Sequence, residues 1–127
     1  MKITRRDTDS PHESDLIAAI DFVIDSFAGV SFPRAVALFD RPLSPSLRSS
    51  TQVLAAITRL HDANVPIFFP AGDDDDAAWA IENAMIIGSI NKDDEKSDFS
   101  NWGRAITIFA PGAQSPLTVL KVIPPVT

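Results

Sequence analysis

The chain has 127 residues, of which 45% are hydrophobic and 22% are charged, and its formal net charge is -6. This size and composition are typical of one globular domain with one modest core. The acidic balance argues against binding to the phosphate backbone of a nucleic acid or to an anionic membrane surface, so we predict neither partner, and the absence of cysteine excludes disulfides and thiolate-ligated metals.

The first residues show no targeting signal. They read M-K-I-T-R-R-D and no apolar run follows them, which is unlike a secretory signal peptide. No stretch approaches the ~20 apolar residues that span a bilayer. A cytoplasmic location is therefore the default expectation. Residues 1–9 are polar and are predicted to be a disordered tail, and residues 10–127 are predicted to form a single domain.

The first predicted element is a helix. Ser10 can cap its start, Pro11 suits the first helical position, and Glu13 completes a capping box. Apolar residues then recur at helical spacing: Leu16, Ile17, Ile20, Val23, Ile24 and Phe27. Gly29 is predicted to end the helix.

Short apolar segments and a second helix follow. The predicted strands are residues 34–39, 65–69, 84–90 and 105–109, with a further short strand at 117–122. The second helix is predicted from about residue 46 to residue 63, with Asn64 as a left-handed stop. Strands that are apolar throughout are typical of a parallel sheet covered on its faces. We therefore predict an α/β fold, a three-layer α/β/α arrangement around a mainly parallel, doubly wound sheet.

Four segments, in this order along the chain, resemble subtilisin-like serine peptidases. Residues 64–73 (N-V-P-I-F-F-P-A-G-D) are similar to the family's G-V-x-V-V-x-A-A-G-N, and residues 85–91 (M-I-I-G-S-I-N) to its I-T-V-G-A-x-D. Residues 97–103 (S-D-F-S-N-W-G) are similar to S-x-F-S-N-x-G, and residues 108–112 (I-F-A-P-G) to I-x-A-P-G. The resemblance covers about residues 14–115. The alternative is an unrelated Rossmann-like α/β protein, whose elements have the same period.

The resemblance implies a truncated half domain whose strands lie side by side in sequence order. The family carries its catalytic Asp and His in D-[ST]-G and H-G-T-H motifs and its nucleophilic Ser in G-T-S-x-A. None of these motifs occurs in this sequence. Neither His12 nor His61 lies near a serine in a recognisable motif. We therefore predict that the chain contains no catalytic residue.

The resemblance also identifies two degenerate positions. Asp73 stands where the family has its oxyanion-hole Asn. An ionised carboxylate donates no hydrogen bond to the developing negative charge, and losing one such donor costs ~3 kcal/mol of transition-state stabilisation. The family's S-x-G-G strand end, whose backbone pairs with the bound peptide, is replaced by Phe39, Asp40, Arg41 and Pro42. These side chains fill the space that glycine leaves, and proline lacks an N–H donor.

The acidic run at residues 73–76 invites a calcium hypothesis. However, successive carboxylates seldom all face one ion, and no EF-hand spacing is present. Some family members bind calcium through an aspartate just before the I-x-A-P-G strand end, where this chain has Thr107. We predict a solvated loop, with no metal and no cofactor. Trp79 and Trp102 are predicted to be packing residues.

Together these observations predict a proteolytically inactive subtilase-like domain, a binding or regulatory remnant of a serine endopeptidase. One alternative is a fragment of an active subtilisin-like serine endopeptidase whose catalytic residues lie outside this chain. Another is a calcium-dependent interaction module. In the family, the strand matching residues 34–39 pairs with the strand that carries the catalytic Asp. Its edge is therefore predicted to bind a second copy, as a homodimer, or another protein partner.

Overall fold

The computed structural model describes residues 11–31 and 34–113. The elements of this part of the chain are α1 (Glu13–Ser26), β1 (Ala37–Leu38), α2 (Pro45–Arg48), α3 (Thr51–Asp62), β2 (Ile67–Pro70), β3 (Met85–Ile90) and β4 (Ile108–Pro111). The strands form one parallel sheet in the order β1-β2-β3-β4. The predicted α/β class, the parallel sheet and the sequential strand order are confirmed. The predicted disordered tail, the Ser10 cap and the predicted strand at 117–122 lie outside the described residues.

The core lies between the helices and one face of the sheet. Its most deeply buried side chains come from α1, α3, β2 and the segment that leads into β2: Leu16, Val53, Ile57, Leu60, Val65, Ile67 and Phe69. Side chains alternate between the two faces of a strand. On the sheet face opposite the helices, Leu38 of β1 is 74% exposed and Ile108 of β4 is 59% exposed. The helical layer that the structure describes therefore covers one face. In residues 11–31 and 34–113, no helix has the length and apolar character needed to cross a bilayer.

Helix α1 begins at Glu13 rather than at Pro11. His12 is its N-cap residue and makes no side-chain capping bond. The predicted capping box needs Ser10, so it lies outside the described residues, and within them the Glu13 carboxylate accepts a hydrogen bond from Ser50 Oγ at 2.6 Å. The helix ends at Ser26, and Gly29, with φ 82°, closes the turn that follows.

The second helix, predicted as continuous, is divided into α2 and α3. Ser49 Oγ donates to the Pro45 carbonyl at 2.9 Å, and Ser50 Oγ accepts from the Val53 amide at 3.2 Å. These local bonds satisfy backbone groups at the end of one helix and the start of the next, so they favour a break between them. The predicted left-handed stop is confirmed, because Asn64 has φ 62°.

Strands β2 and β3 agree with their predicted ranges to within two residues. Strand β1 is limited to Ala37–Leu38, inside the predicted range of 34–39. Strand β4 begins at Ile108 rather than at residue 105. The reason is a turn, in which the Ile106 amide donates to the Gly103 carbonyl at 3.2 Å and delays the start of the ladder.

Candidate functional site

A cleft of about 470 Å³ opens at the carboxyl ends of the strands. Parallel strands end at the same edge of a sheet, and that edge is where ligands bind in open α/β folds. The cleft brings together three of the positions that the sequence singled out, namely Phe39, Asp40 and Asp73. Pro42 lines an adjoining cleft, and Arg41 is exposed outside the lining of both.

The position of Asp73 is set by the glycine before it. Gly72 is buried with φ 105°, and a Cβ added there would lie 2.6 Å from Asn101 Nδ2. Any side chain at Gly72 would therefore clash as well as strain the backbone. Asp73 follows with an exposed side chain at the mouth of the cleft. Its assignment to the oxyanion position stays a prediction.

Aromatic stacking fixes the carboxyl end of β1 beside Gly72 and Asp73. The rings of Phe39 and Phe69 are stacked, with centroids 4.0 Å apart and an interplanar angle of 19°. Phe69 is fully buried, so the stack anchors Phe39 to the core. Pro42 Cγ lies 3.3 Å from the Cβ position built on Gly72. Side chains thus occupy the strand end at which the family has glycine, and the predicted loss of peptide pairing there is open to test.

Asn101 holds the aspartate loop, which we define as residues 73–76. Its buried side-chain oxygen accepts hydrogen bonds from the amides of Asp74 and Asp76, each at 3.0 Å. Its Nδ2 donates to the Ala71 carbonyl at 3.0 Å, and its own amide donates to the Gly72 carbonyl at 2.9 Å. These bonds clamp the chain on both sides of Asp73. The sequence placed Asn101 in a family-like segment but did not reveal this role.

Lys96 forms a second link to the aspartate loop. Its Nζ donates to Asp75 Oδ1 at 3.1 Å, to the Ser97 carbonyl at 2.8 Å and to the Ser100 carbonyl at 2.9 Å. The Asp75 amide in turn donates to the Phe99 carbonyl at 3.0 Å. The ammonium group therefore offsets part of the negative charge of the loop while it connects the loop to the segment before Asn101.

The carboxylates of the aspartate loop do not gather around one point. All four side chains are exposed, and Asp76 Oδ1 accepts a hydrogen bond from the Ala77 amide at 2.7 Å. In the part of the chain that the structure describes, no three acidic or histidine side chains are arranged to hold a metal ion. The predicted lack of calcium binding stays a prediction.

Both histidines lie away from Asp73. His12 is exposed at the start of α1. His61 is exposed in the last turn of α3 and lines a shallow cavity with Pro66, at the amino end of β2. Asp73 follows the carboxyl end of the same strand. Within the described residues, then, no histidine reaches the cleft.

Both tryptophans are more exposed than the sequence predicted. Trp79 is 61% exposed and Trp102 is 46% exposed, so their predicted packing role is wrong. The Arg48 guanidinium instead lies over the Trp79 ring, 4.0 Å from its centroid, in a cation–π contact. These two side chains line the adjoining cleft, of about 340 Å³, together with Pro42 and Asp74.

Comparisons with known proteins give a consistent result. No family model matches the chain. The alkaline serine protease ver112 of Corniculantispora psalliotae is 31% identical over 111 residues, which cover 84% of this chain and 28% of that protein. The subtilisin-like proteinase Spm1 of Pyricularia oryzae is 33% identical over 114 residues, which cover 78% of this chain and 20% of that protein. The chain thus spans 20% to 28% of the length of these two relatives.

Solved structures agree with these relatives. A cold-adapted subtilisin-like serine proteinase superposes with a TM-score of 0.61 at 25% identity, over 84% of this chain and 38% of that one. The prenylagaramide maturation protease PagA superposes with a TM-score of 0.68 over 87% of this chain and 40% of that one, and at 21% identity this likeness shows the fold alone. The chain is therefore a homologue of the subtilisin-like serine proteases that corresponds to one part of their length.

Proposed function

We propose that this chain is a proteolytically inactive subtilase-like domain that acts by binding rather than by cleavage. The observation that carries the proposal is the exposed carboxylate of Asp73 at the mouth of the cleft. Peptide cleavage by this chemistry develops a negative charge on the substrate oxygen. Two like charges 4 Å apart repel by ~4 kcal/mol at an effective dielectric constant of 20, and this repulsion would add to the ~3 kcal/mol lost with the missing donor.

The surroundings of Asp73 support the proposal in two ways. The Asn101 clamp and the glycine conformation at residue 72 restrict movement of the loop away from the cleft. In addition, the two serines that line the cleft form structural bonds. Ser89 Oγ is hydrogen-bonded to Ser97 Oγ at 2.7 Å, and Ser100 Oγ donates to the Asn101 carbonyl at 3.0 Å. Neither hydroxyl has a histidine beside it to accept its proton.

Catalytic silence is directly testable. The purified chain should neither hydrolyse casein nor react with a fluorophosphonate probe for serine nucleophiles, whereas an active subtilisin assayed in parallel should do both. Asp73→Asn should also stay silent, because an oxyanion donor without a nucleophile has no intermediate to stabilise. Labelling of the wild-type chain that disappears when a single serine is changed to alanine would contradict the proposal.

A second candidate function is a contribution to an active subtilisin-like endopeptidase whose catalytic residues lie outside this chain. The observation that favours it is that the chain superposes on 40% and 38% of the length of the two solved proteases, as one part of a larger domain would. The two candidates differ when the chain is expressed together with its flanking coding sequence. The second candidate predicts hydrolysis by the larger product, and faster hydrolysis with Asp73→Asn because a donor replaces a repelling charge. The first candidate predicts no hydrolysis in either case.

A further inference from the structure

We infer that β1 binds β1 of a second copy of this chain, edge to edge and antiparallel, with Arg34 of each copy facing Asp40 of the other. This inference deepens the binding half of the proposed function and rests on it for biological meaning. Its test measures association, whereas catalytic silence is measured by probe labelling, so either can fail without the other.

The backbone at the edge of the sheet is available for pairing. The amides of Ala37 and Phe39 donate to the Pro66 and Phe68 carbonyls of the β2 segment, at 2.8 Å and 2.9 Å. Successive residues of a parallel strand form hydrogen bonds on opposite sides, so the N–H and C=O groups of residues 36 and 38 point away from β2. Strand β1 is at the end of the sheet, and no described strand pairs with this outer side. Such an edge is a template for another strand.

The side chains along this edge are apolar and exposed. Val36 is 66% exposed and Leu38 is 74% exposed, while the alternate residues Ala37 and Phe39 pack against the core. Val36 and Leu38 therefore lie on the sheet face opposite the helices. Cross-strand pairing would place the Val36 side chain of one copy beside the Leu38 side chain of the other and remove apolar surface of both from water.

The charges at the two ends of residues 34–40, which extend β1 on both sides, select one pairing register. A two-fold antiparallel pair that sets Val36 opposite Leu38 uses the outward-pointing groups of both residues and also sets Arg34 opposite Asp40. Both of these charged side chains are exposed. The neighbouring registers, centred on Val36 or on Leu38, would place Arg34 opposite Leu38 or Asp40 opposite Val36. Only the first register pairs opposite charges, and the two-fold axis repeats that pair twice.

The other edge of the sheet lacks this complementarity. Strand β4 ends at Pro111, which has no N–H to donate. No charged residue occurs between residues 105 and 113. Nothing along β4 would therefore select a register for pairing, so the observations favour β1 as the edge that binds the second copy.

A charge-swap experiment tests both the edge and the register. We expect the full chain to sediment as a dimer at tens of micromolar. Arg34→Asp and Asp40→Arg should each weaken dimerisation at least tenfold, because each variant alone sets like charges against each other at both ends of the pair. An equimolar mixture of the two variants should restore a 1:1 dimer, since opposite charges again face each other at both ends.

Two controls keep the test decisive. Leu38→Lys should abolish the dimer, whereas Phe22→Lys, which adds the same charge at an exposed apolar residue of α1, should not. Circular dichroism establishes that each variant is folded, and hydrogen exchange should show the amides of residues 36 and 38 protected only in the dimer. A wild-type chain that stays monomeric across the concentration range would overturn the inference, as would a mixture that fails to associate. Protection of these amides in a monomer would overturn it too, by showing that the same chain covers its own edge.

Discussion

At the scale of single residues, the geometry of the cleft depends on residue 72 being a glycine, because there is no room for a side chain at this position. Gly72 has φ 105° and is buried against Asn101, whereas Gly103 has nearly the same φ, 109°, with no atom within 4 Å of a Cβ placed on it. Both positions disfavour an L side chain because of their backbone conformation. Only at Gly72 would a methyl group also displace the Asn101 amide, which holds the aspartate loop.

We expect the two glycines to differ in how much stability is lost when each is changed to alanine. Gly103→Ala should lower the free energy of unfolding by about 1–2 kcal/mol, the cost of the left-handed conformation alone. Gly72→Ala should lower it by about 1–3 kcal/mol more, because the added methyl group overlaps Asn101 Nδ2. Urea unfolding followed by tryptophan fluorescence measures both values. Equal losses in the two variants would show that the contact between Gly72 and Asn101 does not constrain the loop.

At the scale of elements, a single hydroxyl joins the starts of two helices. Ser50 caps α3 through the Val53 amide and donates to the Glu13 carboxylate at the first residue of α1. Helices α1 and α3 lie side by side over the sheet and contribute much of the buried core. The serine therefore contributes to their alignment as well as to the capping of one helix. Ser44 offers a comparison, because it caps only α2 and does so through a longer bond of 3.4 Å.

We expect Ser50→Ala to destabilise the chain by about 1–2 kcal/mol and Ser44→Ala by less than about 1 kcal/mol. The difference reflects the extra bond to Glu13, which α2 does not share. Thermal unfolding of the two variants under identical conditions measures it. A Ser44→Ala variant that loses as much stability as Ser50→Ala would rule out a role for Ser50 between the helices.

At the scale of the whole molecule, the net charge of -6 is not spread evenly, since four of the acidic residues are consecutive in the aspartate loop. The structure exposes all four and links one of them, Asp75, to Lys96. An exposed ion pair of this kind contributes little to stability. The loop is held in place mainly by the backbone bonds to Asn101, which do not require a cation.

Calcium should therefore change the melting temperature by less than about 1 °C at millimolar concentration. A site of micromolar affinity would be filled far above its dissociation constant and would stabilise the chain by ~2.7 kcal/mol at a hundredfold excess, which for a chain of this size corresponds to a rise of several degrees. Magnesium at the same ionic strength is the control for charge screening. A rise specific to calcium that is lost in Asp75→Asn would establish the calcium-dependent alternative.

The sequence by itself determined the types and order of the elements, because these depend on local patterns. Apolar residues at helical spacing predicted α1, apolar runs predicted β1 to β4, and strands without alternation predicted a parallel sheet. The family-like segments also located Asp73 and the strand end at residues 39–42 before the structure placed Asp73, Phe39 and Asp40 in one cleft. The remaining errors within elements, such as the break at Ser49 and Ser50, arose where side chains compete for backbone bonds.

Only the tertiary structure decided which distant residues support the site and the helices. Asn101 bonds to Asp74 across 27 positions, and Ser50 bonds to Glu13 across 37. The exposure of Trp79 and the Arg48 side chain over it likewise depend on how α2 lies beside the segment before β3. Such contacts are set by the packing of elements, and no local pattern encodes them. The open edge of β1 differs from these contacts, because the family resemblance already predicted it and the observed strand order places β1 at the end of the described sheet.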